Sequence, residues 1–184
     1  MFKKCVISAI AFAALGTTAG HAGTATVGIS GGFLNVTANV SASCQAAQSA
    51  PVAFGTITSL ASAVNTTGTI SVTCDNGVPY AVGLNPGNNF SAASGLRQMS
   101  GSFGGVTYYL PYQLYVDAAH TTAFTDLVTG TSGSTTGSPT ASTPGATGTG
   151  LAQTLTVYAQ VPAGVKPPPA TFGYSDSVAI TVGY

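Results

Sequence analysis

Charged side chains are scarce in this chain of 184 residues, of which only 4% are Asp, Glu, Lys or Arg. The chain has no Trp and no Glu, and its charged residues are Lys3, Lys4, Arg97, Lys166, Asp75, Asp117, Asp126 and Asp176. Nucleic-acid binding requires several Lys or Arg contacts to phosphates, so this class is excluded. A catalytic apparatus is hard to assemble from so few titratable groups, and we expect no enzymatic activity. Disorder is also disfavoured, because the mean hydropathy is +0.38 and charge is nearly absent.

Long hydrophobic runs are missing too. The one extended apolar stretch, Cys5 to Leu15, follows Lys3 and Lys4 and leads into small residues that end at Ala22. This order is typical of a secretory signal, and about eleven apolar residues are too few for the ~20 that cross a bilayer as a helix. We therefore predict that residues 1–22 are a cleaved export signal rather than a retained anchor, and that the product is secreted without stable membrane insertion.

Cysteine is limited to three residues, Cys5, Cys44 and Cys74. Export would remove Cys5 with the signal, so the pair left in an oxidising compartment predicts one disulfide, Cys44–Cys74. On the chain-entropy model, closing a loop of about thirty residues stabilises a fold by roughly 3–4 kcal/mol. Two cysteines and the distant His120 cannot supply four zinc ligands, so we predict no metal and no cofactor.

The residues that are abundant form an alternating pattern. Segments rich in Val, Thr, Ile and Tyr alternate apolar and polar residues between Gly, Pro and Asn, which predicts half-buried strands. The predicted strands are 34–40, 52–57, 69–74, 80–84, 108–116, 153–161 and 177–184, with weaker candidates at 98–103 and 123–128. Residues 129–150 contain only Thr, Gly, Ser, Pro and Ala and predict a mobile surface loop. The fold class is therefore all-β, an antiparallel sandwich or barrel.

Apolar and polar residues also alternate at both ends of the predicted mature chain. The apolar residues at the N-terminal end fall in two phases separated by Gly31 and Gly32: Ala25, Val27 and Ile29 before them, and Leu34, Val36, Ala38 and Val40 after them. One continuous strand would turn these sets to opposite faces, so the double glycine predicts a hinge between two strands. At the C-terminal end one face is formed by Val178, Ile180, Val182 and Tyr184.

Several short motifs make the chain resemble the spore coat protein U domain, which is also the subunit domain of archaic chaperone-usher pili such as the Csu type. The motifs are Ala53-Phe54-Gly55, Gly68 to Cys74, Arg97-Gln98-Met99, Tyr112 to Asp117, Thr154 to Tyr158, Val161-Pro162-Ala163 and Gly173 to Ser177. Each is weak alone, whereas their order and spacing together are specific. The chain departs from the family pattern at Phe124, where Trp is frequent, at Ala159, where Gly is frequent, and in the long loop 129–150.

The resemblance implies an incomplete immunoglobulin-like antiparallel β-sandwich, completed by a donor strand from another chain. It implies that residues 23–32 form the donor segment, with Ala25, Val27 and Ile29 as its inserting residues, and that residues 33–184 form the pilin-like domain. Val178, Ile180, Val182 and Tyr184 would line the acceptor groove. The implied partners are copies of itself or related pilins, a periplasmic chaperone and an outer-membrane usher. The implied location is a cell-surface fibre that serves adhesion and biofilm formation.

Alternatives exist for each part of this interpretation. Residues 24–30 could be a flexible tail or an edge strand of their own sheet. The whole chain could be a small outer-membrane β-barrel, or a secreted spore-coat or carbohydrate-binding module with tyrosines as a sugar platform. The spacing of Asp117 and His120 is more typical of an ordinary turn than of part of a catalytic triad.

Overall fold

The computed structural model describes residues 33–127, 142–166 and 173–184. The chain divides into two units, Met1–Asn39 and Val40–Tyr184. In the first unit the described residues, 33–39, are exposed and have no regular secondary structure. The signal 1–22 and the donor segment 23–32 lie outside the described residues, so these predictions stay untested.

Eight strands lie among the described residues of the second unit. They are β1 (Cys44–Ala50), β2 (Val64–Cys74), β3 (Pro79–Leu84), β4 (Arg97–Phe103), β5 (Val106–Tyr115), β6 (Gly145–Thr147), β7 (Ala152–Val161) and β8 (Ile180–Gly183). They form a five-stranded sheet in the order β1-β2-β7-β5-β4 and a three-stranded sheet in the order β6-β3-β8. Every strand pairing is antiparallel. The protein is therefore an all-β antiparallel sandwich, as expected. In the described ranges, no helix has the length and apolar character needed to span a membrane.

The core lies between the sheets and follows the two-residue period of the strands. On β5, Leu110, Tyr112 and Leu114 are buried, while the residues between them are half-buried or exposed. Two further strands contribute buried side chains in the same way: Ile70, Val72 and Cys74 from β2, and Val157, Ala159 and Val161 from β7. Alternation in the sequence thus reports the buried face of β2, β5 and β7, whereas β3 is buried on both faces from Tyr80 to Leu84.

Five predicted strands coincide with β2, β3, β4, β5 and β7, and the strand predicted at 177–184 is shorter in the structure, β8. The strand predictions for 34–40, 52–57 and the described part of 123–128 are wrong. In 52–57 the apolar residues Val52, Phe54 and Ile57 do pack against the core, but the backbone joins no sheet. In this segment, the alternating apolar residues therefore indicate burial of side chains but not pairing of the backbone in a sheet.

Two strands were missed, β1 and β6. The small residues of β6 lay inside the predicted mobile loop 129–150, and that prediction is wrong for 145–147, which pair with β3. Close approach of the backbones explains the glycine at position 145, because a Cβ there would collide with the carbonyl oxygen of Tyr80. Residues 128–141 lie outside the described residues.

Candidate functional site

The two strands β1 and β8 each end a sheet, and in the described part of the chain each pairs with a strand on one side only. On β3, Val82 and Leu84 donate their N–H groups away from β8, to carbonyl oxygens of other segments at 2.8 and 3.0 Å. Their partners across the ladder are Val182 and Ile180. Because antiparallel pairs alternate between bonded and non-bonded, the N–H and C=O groups of Ile180 and Val182 point toward the open edge.

The same geometry holds on β1. Asp75 donates its N–H to the carbonyl of Ser43 at 3.0 Å, which makes these residues a bonded pair at the end of the β1–β2 ladder. The next pair, Cys44 and Cys74, is therefore a non-bonded one, and the backbone groups of Cys44 and Ala46 face away from β2. Within the described part of the chain, both open edges consequently direct backbone groups away from their own sheets at every second residue.

Between these edges lies a groove of about 80 Å³, which we call the edge groove. One wall comes from the end of β1 and from Val52 just after it, the other from β8 and the residues before it, and the floor from the core. The lining residues are Gln48, Ala50 and Val52 on the first wall, Val178 and Ile180 on the second, and Thr69, Ile70, Leu84, Leu114 and Val157 on the floor. No lining residue is charged. Small-molecule sites usually measure about 300–1,000 Å³, so the edge groove suits inserted aliphatic side chains better than a drug-sized ligand.

The four residues of the predicted acceptor strand differ in how far they are buried. Val178, Ile180 and Val182 are half-buried and pack against the core, and the first two line the edge groove. Tyr184 follows β8 and is 50% exposed. The donor residues Ala25, Val27 and Ile29 lie outside the described residues.

The wall opposite β8 was missed by the sequence reasoning. Gln48 and Ala50 belong to β1, whose Ala- and Gln-rich sequence has little apolar alternation, and Val52 was assigned to a separate strand. Cys44 was the available signal, because its bond to Cys74 ties this strand to β2.

That disulfide is present. Cys44 and Cys74 are bonded, with their Cα atoms 4.1 Å apart, and they face each other in the register of β1 and β2. The bond holds the start of β1 against β2, so it secures the strand whose far end forms one wall of the edge groove.

A polar cluster fixes the other wall, and we call it the Asp176 cluster. The carboxylate of Asp176 accepts hydrogen bonds from the Tyr112 hydroxyl at 2.7 Å, the Asn88 N–H at 3.0 Å and the Asn89 side-chain amide at 3.2 Å. Burial, together with the hydrogen bond and negative charge of Asp176, raises the pKa of Tyr112 well above its usual range. The residues just before β8 are thereby attached to β5 and to the β3–β4 connection.

Asn85 and Arg97 extend this attachment. The Asn85 side-chain oxygen accepts the Ala179 N–H at 2.8 Å. The Arg97 guanidinium, only 4% exposed, donates to the carbonyls of Leu84 and Asn85 and to the side-chain oxygen of Gln113. Burial lowers the pKa of Arg97, whereas Tyr112, Asp176 and Asp126 act in the opposite direction. A buried guanidinium satisfied by carbonyls acts here as a structural brace between β3 and β4.

Asp117 and His120 form a turn, as expected. The Asp117 carboxylate accepts the N–H groups of Thr121 and Thr122, which lowers its pKa, and the His120 ring lies edge-on to Tyr115 at 5.2 Å between centroids. No hydrogen bond joins the two side chains among those the structure describes. Across the described ranges, no group of three or more His, Cys, Asp or Glu is placed to hold a metal ion.

The motifs that suggested a resemblance converge on this region, since Arg97, Tyr112, Gln113 and Asp176 belong to the bonds just described. A family model for the Spore Coat Protein U domain matches residues 31–181. The chain belongs to this family. The family match includes both walls of the edge groove up to Ile180 and the whole Asp176 cluster. A search of curated proteins finds no significant match.

One similar solved structure is the crystal structure of the CsuC–CsuE chaperone–tip adhesion subunit pre-assembly complex from archaic chaperone-usher Csu pili of Acinetobacter baumannii. The similarity has a TM-score of 0.45 and 17% sequence identity, and it covers 79% of this chain and 40% of that chain. This chain thus spans less than half the length of the chain that it matches.

Proposed function

We propose that this Spore Coat Protein U domain is the structural subunit of a secreted surface fibre, which polymerises when a strand from another chain enters the edge groove. The single observation that carries the proposal is the pair of open strand edges, β1 and β8, on either side of an apolar groove. An inserted strand would bond to both edges and would bury its alternate side chains on the floor of the groove.

The chemistry of the groove supports a strand as its occupant. Backbone groups are available on both sides, the lining is uncharged, and floor residues such as Leu114 and Val157 are aliphatic. Open strand edges beside an apolar groove are an aggregation hazard, so the lone subunit would require a periplasmic chaperone and would be passed to an outer-membrane usher. Adhesion and biofilm formation are the biology that such a fibre would serve.

The donor indicated by the sequence is the segment 23–32, with Ala25, Val27 and Ile29 inserted. A role as a coat component is a second candidate, favoured by the name of the family. Both roles use self-assembly and differ in where the assembly is found.

Negative-stain microscopy of sheared surface material tests the proposal, with Ile180→Asp as the groove variant and Ala179→Asp as its control. Asp at position 180 would place an unpaired charge in an apolar groove, so fibres should disappear. Ala179 is exposed on the opposite face, and its replacement should leave fibres at the wild-type level.

Folding of the variant is checked separately by the Cys44–Cys74 bond in mass spectrometry under non-reducing conditions. Fibres formed by Ile180→Asp at the wild-type level would contradict strand insertion. Material of wild-type cells without fibres, with this protein present on spores, would favour the coat role.

A further inference from the structure

One face of the five-stranded sheet is turned away from the core and is uncharged along β2 and β7. In these described strands, every second residue at 65–73 is Asn, Thr or Ser, and every second residue at 152–160 is Ala, Thr, Tyr or Gln. Buried residues such as Val72 and Val157 lie between them and point into the core. We call the uncharged side the outer face. It offers no electrostatic attraction to an anionic or cationic polymer.

Three aromatic side chains meet at one place on the outer face. Tyr115 on β5 and Tyr158 on β7 are direct partners across the two strands. The His120 ring lies edge-on to both, with ring centroids 5.2 and 6.4 Å away and interplanar angles of 89° and 86°. All three residues are half-buried, so part of each remains open to solvent. We call these three residues the aromatic corner.

The position of His120 is costly for stability. In the described part of the chain it is the one non-glycine residue with a positive φ, 56°, a backbone conformation that glycine adopts with less strain. Its Nε2 atom is buried and has no hydrogen-bond partner among the described residues, which also costs free energy. Two costs at one residue indicate a role other than stabilising the fold.

A pair of side-chain amides lies next to the aromatic corner. The Gln160 side-chain nitrogen donates to the Asn65 side-chain oxygen at 3.0 Å. Gln160 follows Tyr158 by two residues on the same face, about 6.6 Å along the strand. The side-chain oxygen of Gln160 and the side-chain nitrogen of Asn65 are not used in this bond, so they supply one acceptor and one donor. Aromatic rings beside neutral donors and acceptors suit a sugar, which has an apolar CH face and a rim of hydroxyl groups.

We propose that the aromatic corner and the Asn65–Gln160 amide pair bind a neutral polysaccharide. A sugar ring stacks its CH face on the tyrosines, and its hydroxyl groups bond to the amides. The site lies on the opposite face of β5 and β7 from Leu114 and Val157, which belong to the floor of the edge groove. A strand inserted in the groove therefore leaves the site open, and the inference goes beyond the proposed function without depending on it. A fibre would repeat the site in every subunit and raise the avidity for a polymer.

Retention on insoluble polysaccharides tests the inference, with the full chain taken from sheared surface material of its native host. The probes are three neutral polymers, cellulose, chitin and cross-linked dextran, and the anionic polymer alginate as a contrast. We expect retention on at least one neutral polymer that added salt does not weaken, because no charge takes part. No retention on any of the three would overturn the inference, and so would retention on alginate alone.

Two variants and a matched control locate the site. Tyr158→Thr removes one ring and leaves a β-branched residue that suits a strand. His120→Gly removes the imidazole and relieves the left-handed backbone. Each should raise the apparent Kd for the retaining polymer by about tenfold or more, since the rings supply the apolar contact. Tyr109→Thr removes a tyrosine that is 49% exposed, also on β5 but six residues from Tyr115, and should bind as the wild type does.

Negative-stain microscopy of the same samples separates this inference from the proposed function. Fibres should form at the wild-type level in all three variants, because the outer face does not contribute to strand insertion. Wild-type retention by either Tyr158→Thr or His120→Gly would overturn the inference and leave the proposed function standing. Retention of a wild-type protein that forms no fibres would contradict the proposed function alone. Fibre bundles that separate in Tyr158→Thr, without retention of the wild type on any neutral polymer, would assign the outer face to a second copy and overturn the inference.

Discussion

At the scale of single residues, the contacts of Tyr112 connect the core to the wall of the edge groove. Its ring is buried, and its hydroxyl reaches the Asp176 carboxylate at 2.7 Å. The sequence indicated a tyrosine in alternation on β5 but gave no sign of its partner, which lies 64 residues away. Loss of the Tyr112 hydroxyl would leave one oxygen of the Asp176 carboxylate without this hydrogen-bond donor.

Tyr112→Phe should therefore lower the free energy of unfolding at pH 7 by about 1–3 kcal/mol, measured by urea denaturation. The pKa of Tyr112 is raised in the folded state, so its stabilising effect is complete below the unfolded value near pH 10 and is lost as the pH rises further. The difference in the free energy of unfolding between the wild type and Tyr112→Phe should decrease as the pH rises above 10. Tyr109→Phe, at a half-exposed position, is the control and should change stability by less than about 0.5 kcal/mol. A constant difference across this pH range would contradict the assignment.

At the scale of elements, strand pairing separates segments that the sequence pattern cannot distinguish. Residues 52–57 alternate and remain outside both sheets, whereas β6 has no apolar alternation and pairs with β3. Pairing depends on the partner that tertiary contacts bring near, and small residues at β6 allow the backbones to approach. Gly145 is the position where this approach is tightest.

Gly145→Ala should destabilise the protein by about 1–3 kcal/mol, because the new methyl group has no room beside the Tyr80 carbonyl and the strands must separate. The midpoint of chemical denaturation measures the effect. Gly173→Ala is the matched control, since nothing lies within 4 Å of the added carbon. Unchanged stability for Gly145→Ala would show that β6 is not paired with β3 in solution.

At the scale of the whole molecule, one covalent bond joins two strands whose cysteines are 30 residues apart. The bond restricts the unfolded chain, and it also holds the start of β1, the strand whose other end lines the edge groove, against β2. The two open edges, β1 and β8, belong to different sheets, so the groove exists only after both sheets have formed and packed.

Removal of the bond in the double variant Cys44→Ser and Cys74→Ser should cost roughly 3–4 kcal/mol of stability on the chain-entropy model. Thermal and denaturant unfolding of this variant and of the reduced wild type should agree, because both lack the same constraint. Mass spectrometry under non-reducing conditions should find the two cysteines linked within one chain. Two free thiols, or a bond from either cysteine to another chain, would contradict the prediction.

The sequence by itself determined the all-β class, the disulfide and the inward face of Val178, Ile180 and Val182. The strand features depend on the two-residue spacing of apolar side chains, which is local in the sequence. The disulfide depends on the number of cysteines, which is a matter of composition. The Asp117–His120 turn was likewise indicated by neighbours in the chain.

Only the tertiary structure decided where the open edges lie and which residues form the second wall, because Gln48 and Ala50 carry no pattern that distinguishes them. It also decided that Asp176 meets Tyr112 and that the alternating residues 33–40 have no regular secondary structure. The spacing of apolar residues shows which face of a strand is buried. The identity of the neighbouring strand depends instead on contacts between residues far apart in sequence.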